Sequence, residues 1–98
     1  MRAVLYVNRD EEKAGRCAEL LAKGGYRLFS VGGFEVARAE LARRDYAFVI
    51  YDVRVILEEG AQAFLKLKAD HPHLPVVAAA PISEGAGSKP LEGGIAPQ

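Results

Sequence analysis

Residues 47–52 (AFVIYD) constrain the fold of this 98-residue chain more than any other stretch. They form an apolar run without a turn former, and the run ends on the carboxylate of Asp52. Aromatic and β-branched residues favour extended backbone, and an apolar run of this length is typical of a strand buried on both faces. Because ligands of open α/β sheets bind beyond the carboxyl ends of the strands, we expect Asp52 at the rim of a crevice.

Other strands and helices alternate around this stretch. Short apolar runs predict strands at 2–7, 26–31 and 76–80. Helical periodicity predicts helices over 10–23, from 34 as far as 43–45, and over about 60–70, whereas 53–59 (VRVILEE) is expected to be a connection. The residues expected to face inward are Ala14, Cys17, Ala18 and Leu21 in the first helix, Phe34, Ala37 and Leu41 in the second, and Ala61, Phe64 and Leu65 in the third.

The alternating order of strands and helices predicts the fold class. Strands joined by right-handed helical crossovers run parallel, so we expect a doubly wound α/β sheet of at least four strands. This domain is predicted over residues 1–81. Residues 82–98 are rich in glycine and proline and poor in large apolar residues, so an irregular or disordered tail is expected there.

Composition argues against several classes of protein. Lys plus Arg and Asp plus Glu stand at 13 each, so no excess of positive charge indicates a nucleic-acid partner. The apolar runs are of strand length, and no secretory signal pattern is visible, so we expect a cytoplasmic protein that does not enter a membrane. The single cysteine, Cys17, excludes an internal disulfide and offers no metal-binding spacing, and we expect it to pack as a small apolar residue.

Two segments, GGYRLFSVGGFEVARAELARRDYAFVIYDVRV and EGAQAFLKLKADHPHLPVV, resemble the receiver domain of bacterial two-component response regulators. The resemblance extends over roughly residues 2–81. It implies a flavodoxin-like sheet in the strand order 2-1-3-4, with the family's fifth strand and last helices reduced or missing. It also implies that Asp52 occupies the position of the aspartate that accepts a phosphoryl group from a histidine kinase with the help of magnesium.

The chain departs from the family pattern at the other chemical positions. The family's acidic pair after strand one is matched by Asn8 and Arg9, with Asp10 one residue late. Ala80 stands where the family has a threonine or serine, and Lys89 is a displaced match for the family's lysine. The resemblance therefore implies a degenerate, C-terminally truncated pseudo-receiver.

These departures bear on magnesium, the only cofactor that the resemblance implies. Magnesium prefers oxygen ligands and one or two carboxylates, for which the candidates are Asp10 and Asp52. Asn8 offers a neutral oxygen, but Arg9 would bring a positive charge to the position of the metal. We hypothesise that Arg9 or Arg54 pairs with Asp52 and replaces the cation, so no cofactor is expected unless Asp52 is phosphorylated.

The preferred interpretation is a receiver-like signalling module that is not an enzyme and acts by binding another protein, with phosphotransfer lost or weak. One alternative is a working receiver in the phosphorelay of a two-component system, phosphorylated on Asp52 by a histidine kinase. Another is a small-molecule-binding α/β domain. A missing last helix would leave apolar sheet uncovered, so we expect a homodimer, or a complex with another protein, through helix one and the edge of strand four.

Overall fold

The computed structural model describes residues 2–80, which form a four-stranded sheet. The strands are β1 (Arg2–Val7), β2 (Tyr26–Val31), β3 (Phe48–Asp52) and β4 (Val76–Ala79). All three strand pairs are parallel, and the order across the sheet is β2-β1-β3-β4. This arrangement confirms the predicted doubly wound α/β fold and its strand order, and the fourth strand ends one residue earlier than predicted.

Four helices connect the strands: α1 (Glu11–Ala22), α2 (Phe34–Arg43), α3 (Val53–Glu59) and α4 (Ala61–Asp70). The start of α1 is capped by Asp10, whose carboxylate accepts the backbone N–H groups of Glu12 and Lys13. Such a cap satisfies donors that have no partner inside the helix. Gly25, with φ at 86°, makes the turn from α1 into β2, a conformation that glycine adopts without strain.

One face of the sheet carries the main core. Leu5, Val49 and Val76 lie side by side in register across β1, β3 and β4. The fully buried side chains of Leu5 and Val49 pack with Ala37 from α2, Val55 from α3 and Leu67 from α4. Helices α2, α3 and α4 therefore contribute to one continuous core.

The opposite face is covered unevenly. Helix α1 packs on β2 and buries Ala14. The row across this face is formed by Tyr6, Ile50 and Val77, which are neighbours in register. Tyr6 on β1 is 8% exposed and Val77 on β4 is 52% exposed. Exposure thus rises with distance from α1, and within the described residues the β4 side of this face is the open part.

Helix α3 corrects the prediction of an irregular connection over 53–59. Asp52 caps its start by accepting the backbone N–H of Arg54, and Gly60, with φ at 99°, ends it. Val55 is 1% exposed and anchors the helix in the core. The sequence lacks Gly and Pro between those two ends, so nothing interrupts a helix there.

The orientation of α4 corrects a second prediction. Leu65, expected inward, is 54% exposed, and Ala61 is also exposed. Leu67 is 1% exposed and fills the inward position, with Phe64 packed beside it in contact with the core. The helix begins at Ala61, and its inward stripe passes through Phe64 and Leu67, three residues apart, and not through Phe64 and Leu65.

The predicted irregular tail over 82–98, and Lys89 within it, lie outside the described residues.

Candidate functional site

Polar side chains gather where β1 and β3 end, at the same edge of the sheet. These neighbouring strands run parallel, so the loop after Val7 and the end of β3 at Asp52 come together. They border a cleft of about 350 Å³, which is lined by Arg9, Asp10, Glu11, Asp52, Arg54, Val55 and Glu58. The structure therefore brings together Arg9, Asp10, Asp52 and Arg54, four of the residues selected from the sequence.

Asp52 is the buried acid of this cleft, only 4% exposed. Its Oδ1 accepts the backbone N–H of Arg54 at 2.8 Å. Within residues 2–80, no lysine, arginine or histidine forms an ion pair with it. The hypothesis that Arg9 or Arg54 pairs with Asp52 is therefore wrong for both arginines.

Arg9 is held by acidic residues of α3 instead. Its guanidinium bonds to the carboxylates of Glu58 and Glu59, and its Nε donates to the carbonyl oxygen of Gly32 at 2.7 Å. The reason for this preference is that Glu58 and Glu59 stand on the last turn of α3, a helix that the sequence analysis did not predict. The positive charge still lines the cleft beside Asp52, but it is neutralised by other carboxylates.

Asn8 is 3% exposed, and both polar atoms of its side-chain amide form hydrogen bonds. The Nδ2 group donates to the carbonyl oxygen of Asp10 at 2.9 Å, and Oδ1 accepts the hydroxyl of Ser30 at 2.9 Å. A buried amide that is satisfied in this way stabilises the loop after β1. Its oxygen therefore uses one of its two lone pairs on Ser30.

Two of the oxygen atoms at this edge that could hold a magnesium ion already accept hydrogen bonds. Asp10 Oδ1 caps α1, and Asn8 Oδ1 is engaged by Ser30. Arg9 places a guanidinium in the cleft. In the part of the chain that the structure describes, no group of three or more His, Cys, Asp or Glu side chains could hold a metal. Magnesium is usually held by one or two carboxylates, and the acidic residues that line this cleft are Asp10, Glu11, Asp52 and Glu58.

Ala80 follows β4 at the same edge. The register pairs Ala79 with Asp52, so the chain after β4 leaves the sheet close to the cleft. Ala80 is exposed and has no hydroxyl group to offer to a ligand. Lys89, the remaining candidate, lies outside the described residues.

Glu59 is a central residue of this edge that the sequence analysis missed. Its carboxylate accepts the backbone N–H of Phe34 at 3.0 Å and the hydroxyl of Tyr51 at 3.2 Å, and Arg9 Nη2 lies 3.1 Å from it. The signal in the sequence was the pair Glu58-Glu59 directly before Gly60. Once 53–59 is recognised as a helix, that pair falls on its last turn, facing the loops after β1 and β2.

Two tyrosines near the site have raised pKa values. Burial, followed by the negative charge of Glu59 and the hydrogen bond to it, raises the pKa of Tyr51 to about 12. Burial, followed by the negative charge of Asp52, raises the pKa of Tyr6 above its usual value. Both hydroxyls therefore stay protonated at neutral pH, and Tyr51 remains a hydrogen-bond donor to Glu59.

Comparisons with known proteins agree with this architecture. The chain is 32% identical over 74 residues to the response regulator protein FleR of Pseudomonas aeruginosa, and the match covers 76% of this chain but 16% of the length of FleR. A sensor protein from Polaromonas sp. JS666, known from its crystal structure, superposes with a TM-score of 0.70 at 24% identity, over 90% of this chain and 73% of the other. No family profile matches the sequence. Among the described helices, none has the length and apolar character needed to cross a membrane.

Proposed function

Because the chain is a receiver-like α/β domain, we propose that it acts in signalling by binding another protein, with phosphotransfer to Asp52 lost or greatly weakened. The likeness to FleR, named a response regulator, supports the signalling role. The observation that carries the loss of phosphotransfer is the Arg9 guanidinium in the cleft, beside an Asp10 oxygen that caps α1 and an Asn8 oxygen that accepts the Ser30 hydroxyl. Phosphoryl transfer relies on a metal to neutralise charge on the transferring group, and the positive charge of Arg9 opposes the binding of that metal.

The test is incubation with acetyl phosphate and Mg²⁺, followed by intact mass spectrometry. We expect no adduct on the wild type, and none on Asp52→Asn. A phosphoryl adduct that appears on the wild type and is absent from Asp52→Asn would refute the proposal. That result would favour the alternative, a working receiver that a histidine kinase phosphorylates on Asp52.

This alternative is supported by the position of Asp52. Its carboxylate is buried, lines a cleft that opens to solvent and accepts a single hydrogen bond from residues 2–80. A small donor could therefore approach it. A second candidate function is the binding of a small molecule, which the cleft of about 350 Å³ could accommodate. A thermal-shift screen of metabolites tests it.

We further propose that the partner surface includes the open β4 side of the sheet face on which α1 packs, and that a second copy of this chain is one partner. Val77 on β4 is 52% exposed and Leu20 on α1 is 66% exposed. The outer backbone edge of β4 has no strand beside it within the described residues. Such an edge next to apolar side chains favours association.

Light scattering at micromolar concentration tests the homodimer. We expect a dimer for the wild type and a monomer for Val77→Lys. Leu57→Lys is the matched control, because Leu57 is an equally apolar residue, 77% exposed, on α3. A monomeric wild type would refute the homodimer and leave a different protein as the partner. We propose the cytoplasm as the place of these interactions.

A further inference from the structure

Helix α3 is held at both of its ends by polar contacts. At its start, Asp52 Oδ1 accepts the backbone N–H of Arg54. At its end, Glu59 contacts Phe34, Tyr51 and Arg9. The helix has seven residues, so these two sets of contacts are separated by about 10 Å along its axis.

The contact between Glu59 and Phe34 replaces a missing cap. Helix α2 begins after Gly33, which has no side chain to accept a hydrogen bond from the first turn. The Glu59 carboxylate supplies that acceptor, with its oxygens 3.0 and 3.3 Å from the Phe34 nitrogen. It approaches so closely that a Cβ atom at Gly33 would overlap Glu59 Oε2. The start of α2 therefore depends on the position of the end of α3.

The shortness of α3 makes its two ends depend on each other. A helix of seven residues forms too few internal hydrogen bonds to be stable alone, so its end contacts and its packing must hold it. Val55, which is 1% exposed, fixes the first turn in the core. Loss of the cap at Asp52 would loosen that first turn and, through it, the last turn that carries Glu59.

We propose that α3 couples the Asp52 carboxylate to the start of α2. A change at Asp52 that breaks its hydrogen bond to Arg54 loosens the contact between Glu59 and Phe34, and release of Glu59 loosens the bond between Asp52 and Arg54. Coupling between two sites is necessarily reciprocal in free energy. The coupling does not depend on phosphorylation of Asp52. Any ligand or modification that removes the cap loosens the contact between Glu59 and Phe34.

The first test starts from Glu59, where a substitution carries little risk to folding because the side chain is partly exposed. Hydrogen exchange of backbone amides is followed by NMR in Glu59→Ala. We expect about fivefold faster exchange of the Phe34 amide, which loses its direct acceptor, and also faster exchange of the Arg54 amide. An Arg54 amide that exchanges as in the wild type would overturn the coupling.

Glu58→Ala is the matched control. Glu58 is the preceding residue on the same turn of α3 and also bonds to Arg9, but among the described residues it forms no hydrogen bond with Phe34 or Tyr51. Its substitution removes the same charge with the same change in helix propensity. We expect it to leave both amides within twofold of the wild type. An effect on Arg54 equal to that of Glu59→Ala would assign the change to charge alone and overturn the proposal.

The second test starts from Asp52. Asp52→Ala removes the cap, whereas Asp52→Asn keeps an oxygen that can accept the N–H of Arg54. We expect faster exchange of the Phe34 amide in Asp52→Ala and little change in Asp52→Asn. An unchanged Phe34 amide in a folded Asp52→Ala, or equal effects of the two substitutions, would overturn the proposal. If Asp52→Ala does not fold, the exchange rate of the Arg54 amide in Glu59→Ala is the measurement that supports or overturns the coupling.

Discussion

Asp52 Oδ1 accepts the backbone N–H of Arg54 at 2.8 Å, so Arg54, two residues after Asp52, contributes its amide and not its guanidinium. The negative charge of Asp52 is therefore balanced by no cation within residues 2–80. The guanidinium of Arg9, which lines the cleft as Arg54 does, is bound to Glu58 and Glu59. A cation in this cleft would have to bind despite that guanidinium.

The affinity for Mg²⁺ follows from this arrangement. We expect the wild type to bind Mg²⁺ more weakly than millimolar, and Arg9→Asp to bind it more tightly, because the substitution replaces a positive charge by a carboxylate at the cleft. A titration followed by the amide signals of Asp52 and Arg54 measures both. Arg9→Ala removes the positive charge without adding a carboxylate. Its Mg²⁺ affinity therefore shows how much of the gain in Arg9→Asp comes from the loss of repulsion alone. Millimolar or tighter binding by the wild type would contradict the expectation.

Gly33 and Gly32 form a matched pair for the contact between Glu59 and α2. A Cβ at Gly33 would overlap the Glu59 carboxylate, whereas a Cβ at Gly32 meets nothing within 4 Å. We expect Gly33→Ala to displace Glu59 and to lower the free energy of unfolding by about 1 kcal/mol, the typical value of a helix cap. Gly32→Ala should stay within about 0.5 kcal/mol of the wild type.

Urea denaturation of these variants measures the difference. The effect of Gly33→Ala should also shrink in the background of Glu59→Ala, because the displaced group is then already absent. Equal effects of the two alanine substitutions, or full additivity with Glu59→Ala, would show that the close approach of Glu59 contributes nothing to stability.

Alkaline pH should weaken the fold through Tyr46 and Tyr51. Burial, followed by a carboxylate partner in each case, raises the pKa of both from 10.0 to about 12. The folded state therefore holds these protons more tightly than the unfolded chain does. The stability from each is fully present below about pH 10 and is lost as the pH rises towards 12, by at most about 1.4 kcal/mol per pH unit for each tyrosine.

Absorbance of tyrosinate in the near ultraviolet checks this expectation, since the chain has four tyrosines and no tryptophan. Tyr46→Phe and Tyr51→Phe should each remove one hydroxyl that ionises near pH 12 from the titration curve. Their stability should also fall less steeply above pH 10 than that of the wild type. Titration curves that are unchanged in shape by either substitution would contradict the assignment.

Leu67 and Leu65 test which side of α4 faces the core. Leu67 is 1% exposed and Leu65 is 54% exposed on the same helix. We expect Leu67→Ala to lower the free energy of unfolding by about 2 to 5 kcal/mol and Leu65→Ala by less than about 1 kcal/mol. Thermal or urea denaturation measures both. A larger loss of stability in Leu65→Ala than in Leu67→Ala would contradict this orientation and favour the one predicted from the sequence.

The strands were predictable because the apolar runs are short and are separated by clear breaks, whereas their order across the sheet was implied by the resemblance to receiver domains. The run at 47–52 and its terminal Asp52 placed the site at the correct edge of the sheet. Helix α3 was not predictable in the same way, because VRVILEE mixes β-branched residues with acids, and its start depends on a cap from a residue assigned to a strand. Since Glu58 and Glu59 come from that helix, the partners of Arg9 could not be predicted either.

The capping of α2 by Glu59 also has a consequence for the order of folding. The acceptor for the Phe34 amide lies 25 residues further along the chain. During synthesis on the ribosome, residues are added from the N-terminus, so the first turn of α2 emerges before its acceptor exists. That turn should fray until residue 59 has left the exit tunnel and β3 has joined the sheet.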